Sequence, residues 1–450
     1  MKNYSKEEVE KIFSNEDLFI KNFNSLTDRE KTSFLRKVGK INTQYKNFDI
    51  FIESFKSDNE NLRFEIIKTL SKITDINLFS FYKKIIYIEK TSDIRREIVS
   101  AIGRLRNKKT IQLLIDLIKD DDPNVVLQAI RGLLVFKDDP LVHKELKKLS
   151  SHPNEIVKLI IENELTSTDS NKSTNHSEVN PKLKNKIVKG DSLDVLKKIE
   201  EDTFHLTFTS PPYYNARDYS IYKSYEDYLK FLEKIFKEVH RTTKEGRFFI
   251  LNTSPVIVPR FSRNYSSKRY PIPFDIHPFL INMGWEFIDD IVWSKPEASA
   301  KNRVGGFLQH KKPLAYKPNA TTEMVMVYRK KTTKLIDWNL KQYSKEVIDE
   351  SLVKDEIHKS NLWNIGPSHD KVHSAVFPKE LCDRIIKYYS LSGDLVLDPF
   401  AGSGTFGNAA FDRNRNFFLI EKDDTYFQDM KKRFNLDNQN NIEFIEKLYK

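Results

Sequence analysis

Cysteine is nearly absent: Cys382 stands alone among 450 residues. A single thiol excludes an internal disulfide and a cysteine-based zinc site, and it suits a reducing compartment. Long apolar runs are missing as well. No stretch reaches the roughly 18 apolar residues of a membrane span, and the opening "MKNYSKEEVEKIF" has no apolar core of signal-peptide length. These absences predict a soluble, cytoplasmic protein with no membrane contact. Glycine is scarce, 13 residues in all, and almost none falls before residue 165. Acids are outnumbered, 64 Asp and Glu against 75 Lys and Arg, for a net charge of +11. Part of that excess is a Lys-rich composition; the rest favours a polyanionic partner.

What is present divides into three textures. Residues 1 to 165 read as helix after helix with a recurring pattern: "NENLRFEIIKTLSKI" from Asn59, "SDIRREIVSAIGRL" from Ser92, "DPNVVLQAIRGLLVF" from Asp122 and "PNEIVKLIIENEL" from Pro153. Aligning Leu62, Ile94, Val125 and Ile156 gives spacings of 32, 31 and 31 residues. A second amphipathic helix, such as "TIQLLIDLIKD", lies in each interval. Two helices per period, with Asp, Pro or Asn opening the second, resemble HEAT repeats. "TSTDSNKSTNHSEVN" then breaks the pattern and predicts a flexible linker over 166–182.

From residue 183 short β-branched or aromatic runs alternate with helical patterns. The runs are "NKIVKGD", "FHLTFTS", "RFFILN", "EFIDDIVWSK", "EMVMVYRKK", "DLVLDPF" and "NFFLIEKD". Such alternation predicts an α/β fold with a mostly parallel, doubly wound sheet over 183–450. Ligands of these sheets sit at the carboxyl ends of strands, so the residues just after each run are the candidates.

In "DLVLDPFAGSGTFGNAA" a strand ends at Asp398 and a glycine-bearing turn, Gly402-Ser403-Gly404, opens a helix. Glycines there let the backbone approach a ligand, and the helix N-terminus favours an anionic group. No Lys follows Gly404, so a triphosphate-binding loop is disfavoured. Glu421 ends the next strand, 23 residues after Asp398, where nucleotide-binding units hold a ribose diol. Asp191 closes a third strand. Singly these acids read equally well as helix caps or solvated loop carboxylates; together with the turn they favour an adenosine-type cofactor.

"LDPFAGSGT" resembles the S-adenosylmethionine motif of amino-group DNA methyltransferases, and "TSPPY", residues 209 to 213, resembles their catalytic motif. "VHSAVFPKELCDRIIKYYSL" is similar to the segment that precedes the cofactor turn in that family. The order, catalytic motif before cofactor motif, is that of the circularly permuted β-class. The resemblance spans 183–450 and implies a Rossmann-like methyltransferase sheet. It implies S-adenosyl-L-methionine as cofactor, held by Asp191, Asp398, Pro399, Phe400, Gly402, Ser403, Gly404, Thr405 and Glu421. It also implies catalysis by Ser210, Pro211, Pro212 and Tyr213. Two prolines fix φ and donate no backbone hydrogen bond, leaving the Ser210 and Pro211 carbonyls to accept from an exocyclic amine. Tyr213 supplies a face for a base taken out of the stack. Tyr214, Asn215, Asp218 and Tyr219 are expected to line or order the pocket.

Ser210 at the first motif position favours cytosine N4; adenine N6, where Asp is the family rule, is the alternative. Methylation at carbon 5 needs a thiolate after a proline, and Cys382 follows Leu381 in a core pattern. For duplex DNA, the segment Lys295 to Lys345 holds 12 Lys and Arg against three acids. "PRFSRNYSSKRYP" mixes base with aromatics. Tyr214, Asn215, Arg260, Arg263, Lys268, Arg269, Lys301, Arg303, Lys311 and Lys312 are the expected contacts, with target-recognition insertions over 296–371. The resemblance implies a prokaryotic restriction–modification or defence setting, with cleavage left to a separate endonuclease. The repeat region is read as a grip on flanking duplex, a protein-partner surface or a dimerisation element. A scaffold that binds nucleic acid without turnover, and an RNA substrate, are the competing readings.

Overall fold

In a computed structural model, residues 4–38, 48–165, 176–214, 222–258, 264, 267–300, 302–354, 357–368, 377–436 and 442–446 are described, with backbone alone for Asn163, Asn435 and Leu436. The chain divides into two compact units, Met1–Asn171 and Lys172–Lys450.

Side-chain caps open two of the three repeat helices that stack in the first unit. Asn59 accepts from the Leu62 amide at 3.2 Å and opens Glu60–Leu70. Asp122 opens Pro123–Leu134 with proline in the first turn, where its missing N–H costs nothing. Glu60–Leu70, Ser92–Arg104 and Pro123–Leu134 stack in series. The close approach of the last two is made at Gly103 and Gly132, where a Cβ on Gly103 would lie 3.2 Å from the Gly132 Cα. Ion pairs recur with the repeat: Arg63 with Glu89 at 2.9 Å and Arg95 with Asp120 at 2.9 Å, each largely shielded from water. Leu62, Ile94 and Val125 are buried as expected, but Ile156 is 55% exposed and Val157 fills the core position. The last helix, Glu155–Leu165, thus sits one residue out of the aligned register.

Among the described residues the second unit has eleven strands: β1 (Lys186–Lys189), β2 (Phe204–Thr209), β3 (Thr243–Thr253), β4 (Val256–Val258), β5 (Lys268–Tyr270), β6 (Trp285–Ser294), β7 (Thr322–Lys330), β8 (Leu362–Asn364), β9 (Leu395–Asp398), β10 (Asn416–Glu421) and β11 (Glu443–Ile445). Nine form one sheet in the order β11-β1-β10-β9-β2-β3-β7-β6-β8, and β4 and β5 form a separate ribbon. Within the sheet β7 alone runs against its neighbours. All seven runs read from the sequence are strands. Their side chains alternate between two cores: Val396, Phe417 and Leu419 face one, and Leu395, Leu397, Phe418 and Ile420 the other. Helices Lys379–Tyr389 and Thr405–Asp412 cover the first face, and Tyr225–Thr242 and Ile272–Met283 the second. Cys382 lies buried in the first core.

Of the expected linker, 166–175 lies outside the described residues, while the remainder is not a linker. The His176 carbonyl accepts from His205 Nε2 at 2.7 Å, Lys244 Nζ at 3.2 Å and the Tyr343 hydroxyl at 3.2 Å. His205 also accepts from the Leu395 amide through Nδ1 at 3.1 Å, and burial pushes its pKa down to about 3, so it is neutral. Composition marked this segment as flexible because its anchors are supplied by distant residues.

Candidate active site

Parallel pairing of β1, β10 and β9 puts the three acids side by side at the carboxyl ends of neighbouring strands. Asp191 caps Ser192–Leu196, accepting from the Leu193 amide at 3.0 Å, and its other oxygen accepts from Lys422 Nζ at 3.1 Å. Glu421 accepts from the amides of Gly402 at 2.8 Å and Asp423 at 2.7 Å. Asp398 is buried, and its Oδ1 accepts from the Thr209 hydroxyl at 2.6 Å and the Phe400 amide at 3.0 Å. The Ser192 hydroxyl donates to the Pro399 carbonyl at 2.5 Å, tying the turn after β1 to the turn after β9.

Glycine is required in that second turn. Gly402 and Gly404 have φ of 54° and 77°, a region costly to residues with a Cβ. On Gly404 a Cβ would also lie 2.8 Å from Phe434 and 2.9 Å from the Met430 sulfur. The Ser403 and Thr405 hydroxyls share a hydrogen bond of 3.0 Å at the start of the helix. Burial raises the Asp398 pKa to about 7 against its two hydrogen bonds, and raises Glu421 to about 7 against its two amide donors. Two carboxyl groups poised near neutrality beside a glycine turn suit a ligand that donates hydroxyl or ammonium hydrogens.

Strand β2 lies between β9 and β3, so the 209–213 turn leaves the sheet beside Asp398. Pro211 is buried; Ser210, Pro212 and Tyr213 are partly exposed. Among the described residues no hydrogen bond ends on the Ser210 or Pro211 carbonyl. The Tyr213 hydroxyl is buried, and burial together with the nearby Glu323 charge drives its pKa well above the usual range. It donates to Glu323 Oε2 at 3.0 Å. Glu323 also accepts from Asn252 Nδ2 at 2.6 Å and pairs with Lys295, whose ammonium sits 4.4 Å from the centre of the Trp293 ring. Asn252, Lys295 and Glu323 lie outside every motif of the sequence, and Thr209 carries no expected role within TSPPY; Glu323 is one of the three acids of the basic Lys295–Lys345 segment.

Tyr214 corrects an expectation. It is 6% exposed, with ring centroids 4.8 Å from Tyr270, 5.2 Å from Tyr225 and 5.6 Å from Tyr228. It packs beneath the turn rather than facing a partner. Asn215, Asp218, Tyr219, Arg260, Arg263 and Lys301 lie outside the described residues. Lys268 and Arg269 are exposed on β5, and Lys311 and Lys312 on the 296–320 insertion. The two elements meet where Lys317 Nζ donates to the Ser267 hydroxyl at 3.3 Å. Burial and the nearby Arg269 charge lower the Arg303 pKa. Among the described residues Lys268, Arg269, Arg303, Lys311 and Lys312 make no ion pair. Other cations of the basic segment are structural: Lys330 pairs with Asp202, Lys334 with Glu245, and Arg329 is buried on the Gly246 carbonyl. The raw charge count therefore overstated the free positive surface.

Residues 204–432 match the family of N6/N4 DNA methylases, and residues 87–165 match HEAT repeats. The chain belongs to the DNA methylase family. The methylase is 29% identical over 254 residues to the type II beta methyltransferase M.BslI of Bacillus sp. (strain NEB-606), covering 54% of this chain and 27% of that one. It is 31% identical over 251 residues to the type II methyltransferase M.ScaI of Streptomyces caespitosus, covering 53% and 77%. The methylase thus spans only 27% and 33% of the first two relatives it matches, M.BslI and M.MwoI of Methanothermobacter wolfeii. Among solved structures, a putative DNA modification methylase of Thermus thermophilus, TTHA0409, complexed with S-adenosyl-L-methionine, aligns with 25% identity and a TM-score of 0.48 over 59% of this chain and 99% of that one. No helix among the described residues is long and apolar enough to cross a membrane.

Proposed function

We propose that the methylase transfers a methyl group from S-adenosylmethionine to the exocyclic N4 amine of a cytosine in duplex DNA. The observation that carries this reading is the Thr209–Asp398 hydrogen bond of 2.6 Å, which sets the 209–213 turn against the glycine turn. The acids and glycines of the second turn fit an adenosine-type cofactor. Glu421 would accept from a ribose diol, the positive-φ glycines leave room for a closely approaching ligand, and Asp398, Pro399, Phe400, Ser403, Thr405 and Asp191 would complete its cradle. Once bound, the cofactor supplies an electrophilic methyl on a sulfonium.

The chain's own work is to make the amine nucleophilic. Its lone pair is delocalised into the base ring. The Ser210 hydroxyl and the Pro211 carbonyl accept its two N–H bonds, which draws the nitrogen toward a tetrahedral form. Pro212 stiffens the turn, and Tyr213 offers its ring face to the flipped base. Ser210 both donates and accepts, so it can also meet a ring nitrogen such as cytosine N3; this favours cytosine. Adenine N6 is the second reading, because the family includes both amines. Lys268, Arg269, Arg303, Lys311 and Lys312 would track the phosphates.

The type II names of the relatives support a restriction–modification role; a separate endonuclease and a prokaryotic cytoplasm complete the proposed setting. The repeat unit would grip flanking duplex or a protein partner. Nucleosides from the genomic DNA of an unmethylated host expressing the methylase test this reading by mass spectrometry. N4-methylcytosine is expected. N6-methyladenine would overturn the base assignment, and the absence of both marks would overturn the activity on DNA.

A further inference from the structure

We infer that Glu323 is a positioning residue for the transfer, one that orients Tyr213 before the base arrives and joins it to the root of the 296–320 insertion. The inference rests on the function proposed above. Its starting point is a mismatch of anchoring: Tyr213 sits on a loop, whereas Glu323 sits on a strand bonded on both sides. In the β6–β7 ladder Glu323 lies opposite Trp293, and two residues further along β7 Val325 lies opposite Asn252 on β3. The carboxylate is therefore fixed by the sheet, and the phenol is fixed by the carboxylate.

Its bonding points the same way. A carboxylate offers about four acceptor sites on two oxygens. Glu323 receives three donors from three segments: the Tyr213 hydroxyl at 3.0 Å, Asn252 Nδ2 at 2.6 Å and the Lys295 ammonium. Lys295 is held in turn, with its ammonium 4.4 Å from the Trp293 ring centre and its amide donating to the Thr321 carbonyl at 2.8 Å. That last bond closes the neck of the insertion. The same carboxylate thus connects the insertion that carries Arg303, Lys311 and Lys312 with the tyrosine whose ring is assigned to the base.

A ring fixed in advance needs no reordering when the base enters, and small misplacements of such groups are costly in turnover. The test is a double-mutant cycle on the full chain with duplex DNA carrying, still unmethylated, the site that wild-type protein modifies, using Tyr213→Phe, Glu323→Gln and the pair. Single-turnover methylation is expected to fall about 10- to 100-fold in each single variant. The pair should be no slower than the slower single, because both break one link. The S-adenosylmethionine dissociation constant and the thermal midpoint should stay near wild type. Multiplying effects, a Glu323→Gln rate equal to wild type, or a loss mirrored in cofactor affinity would each overturn the role. Wild-type protein that transfers no methyl to DNA would overturn the proposed function as well, which separates the two failures. Should Glu323→Gln not fold, Lys295→Met replaces it in the cycle, since it keeps the stem over Trp293 and removes a donor to Glu323.

Discussion

Thr209 ends β2, Asp398 ends the neighbouring β9, and the threonine hydroxyl donates to the buried carboxyl at 2.6 Å. The bond joins the two turns that the proposed chemistry must bring together. Thr209→Val keeps the shape and removes the donor, leaving Asp398 with the Phe400 amide alone on Oδ1. An unsatisfied buried polar group costs about 1–3 kcal/mol. Cofactor affinity should therefore drop by up to about a hundredfold, with the Asp398 pKa rising further. Titration calorimetry decides it; wild-type affinity would remove Thr209 from the site.

Asp398 and Glu421 set a pH window. Both are raised by burial to about 7, above the ordinary carboxylate range. The folded apo protein then binds more protons than the unfolded chain between those limits, so the stability these groups contribute is present at low pH and is lost as pH climbs through about 7. Cofactor affinity should move the opposite way, because the ionised carboxyls are the better acceptors. Asp398→Asn should flatten its share of the apo melting profile. A melting temperature in Asp398→Asn with the wild-type pH slope would contradict the assignment.

Ser210→Ala should separate binding from chemistry. Removing one preorganised acceptor lowers the rate by about one to three orders of magnitude in comparable sites. The cofactor turn lies on another strand and keeps its own contacts, so cofactor affinity should hold. A rate indistinguishable from wild type would leave the serine without a catalytic part.

Lys268 and Arg269 present free charge on the β4–β5 ribbon. Each phosphate contact removed should reduce the salt dependence of DNA binding by about one unit of slope. Lys268→Ala with Arg269→Ala should raise the KM for DNA in moderate salt while sparing cofactor binding. A salt slope unaltered by the pair would place the phosphates elsewhere.

Much of this architecture is legible in the sequence. Short β-branched or aromatic runs located seven strands, and the glycine and proline turns followed them in order. Local chemistry favours those features: a φ of 77° is easiest for glycine, and two prolines stiffen a turn wherever they occur. Reading failed where too little chain carried the signal. Strands β4, β5, β8 and β11 have three residues each, too few for alternation to register. The last repeat slipped by one residue because adjacent helix positions point about 100° apart, so only Val157, not Ile156, faces inward.

The composition, the repeat period and the identity of both turns belong to the sequence by itself. What only the tertiary structure decided is which residues complete the site. Tyr213 and Glu323 are 110 residues apart in the chain, and Asn252 and Glu323 are 71 apart. Strand order, not local propensity, brought them within hydrogen-bond reach. The same folding buried Tyr214, an expected contact, and of the cations in the charge count it turned Arg329 onto the Gly246 carbonyl and tied Lys330 to Asp202. A buried carboxylate chooses its partners by position in the sheet, and position in the sheet is not written in any short stretch of residues.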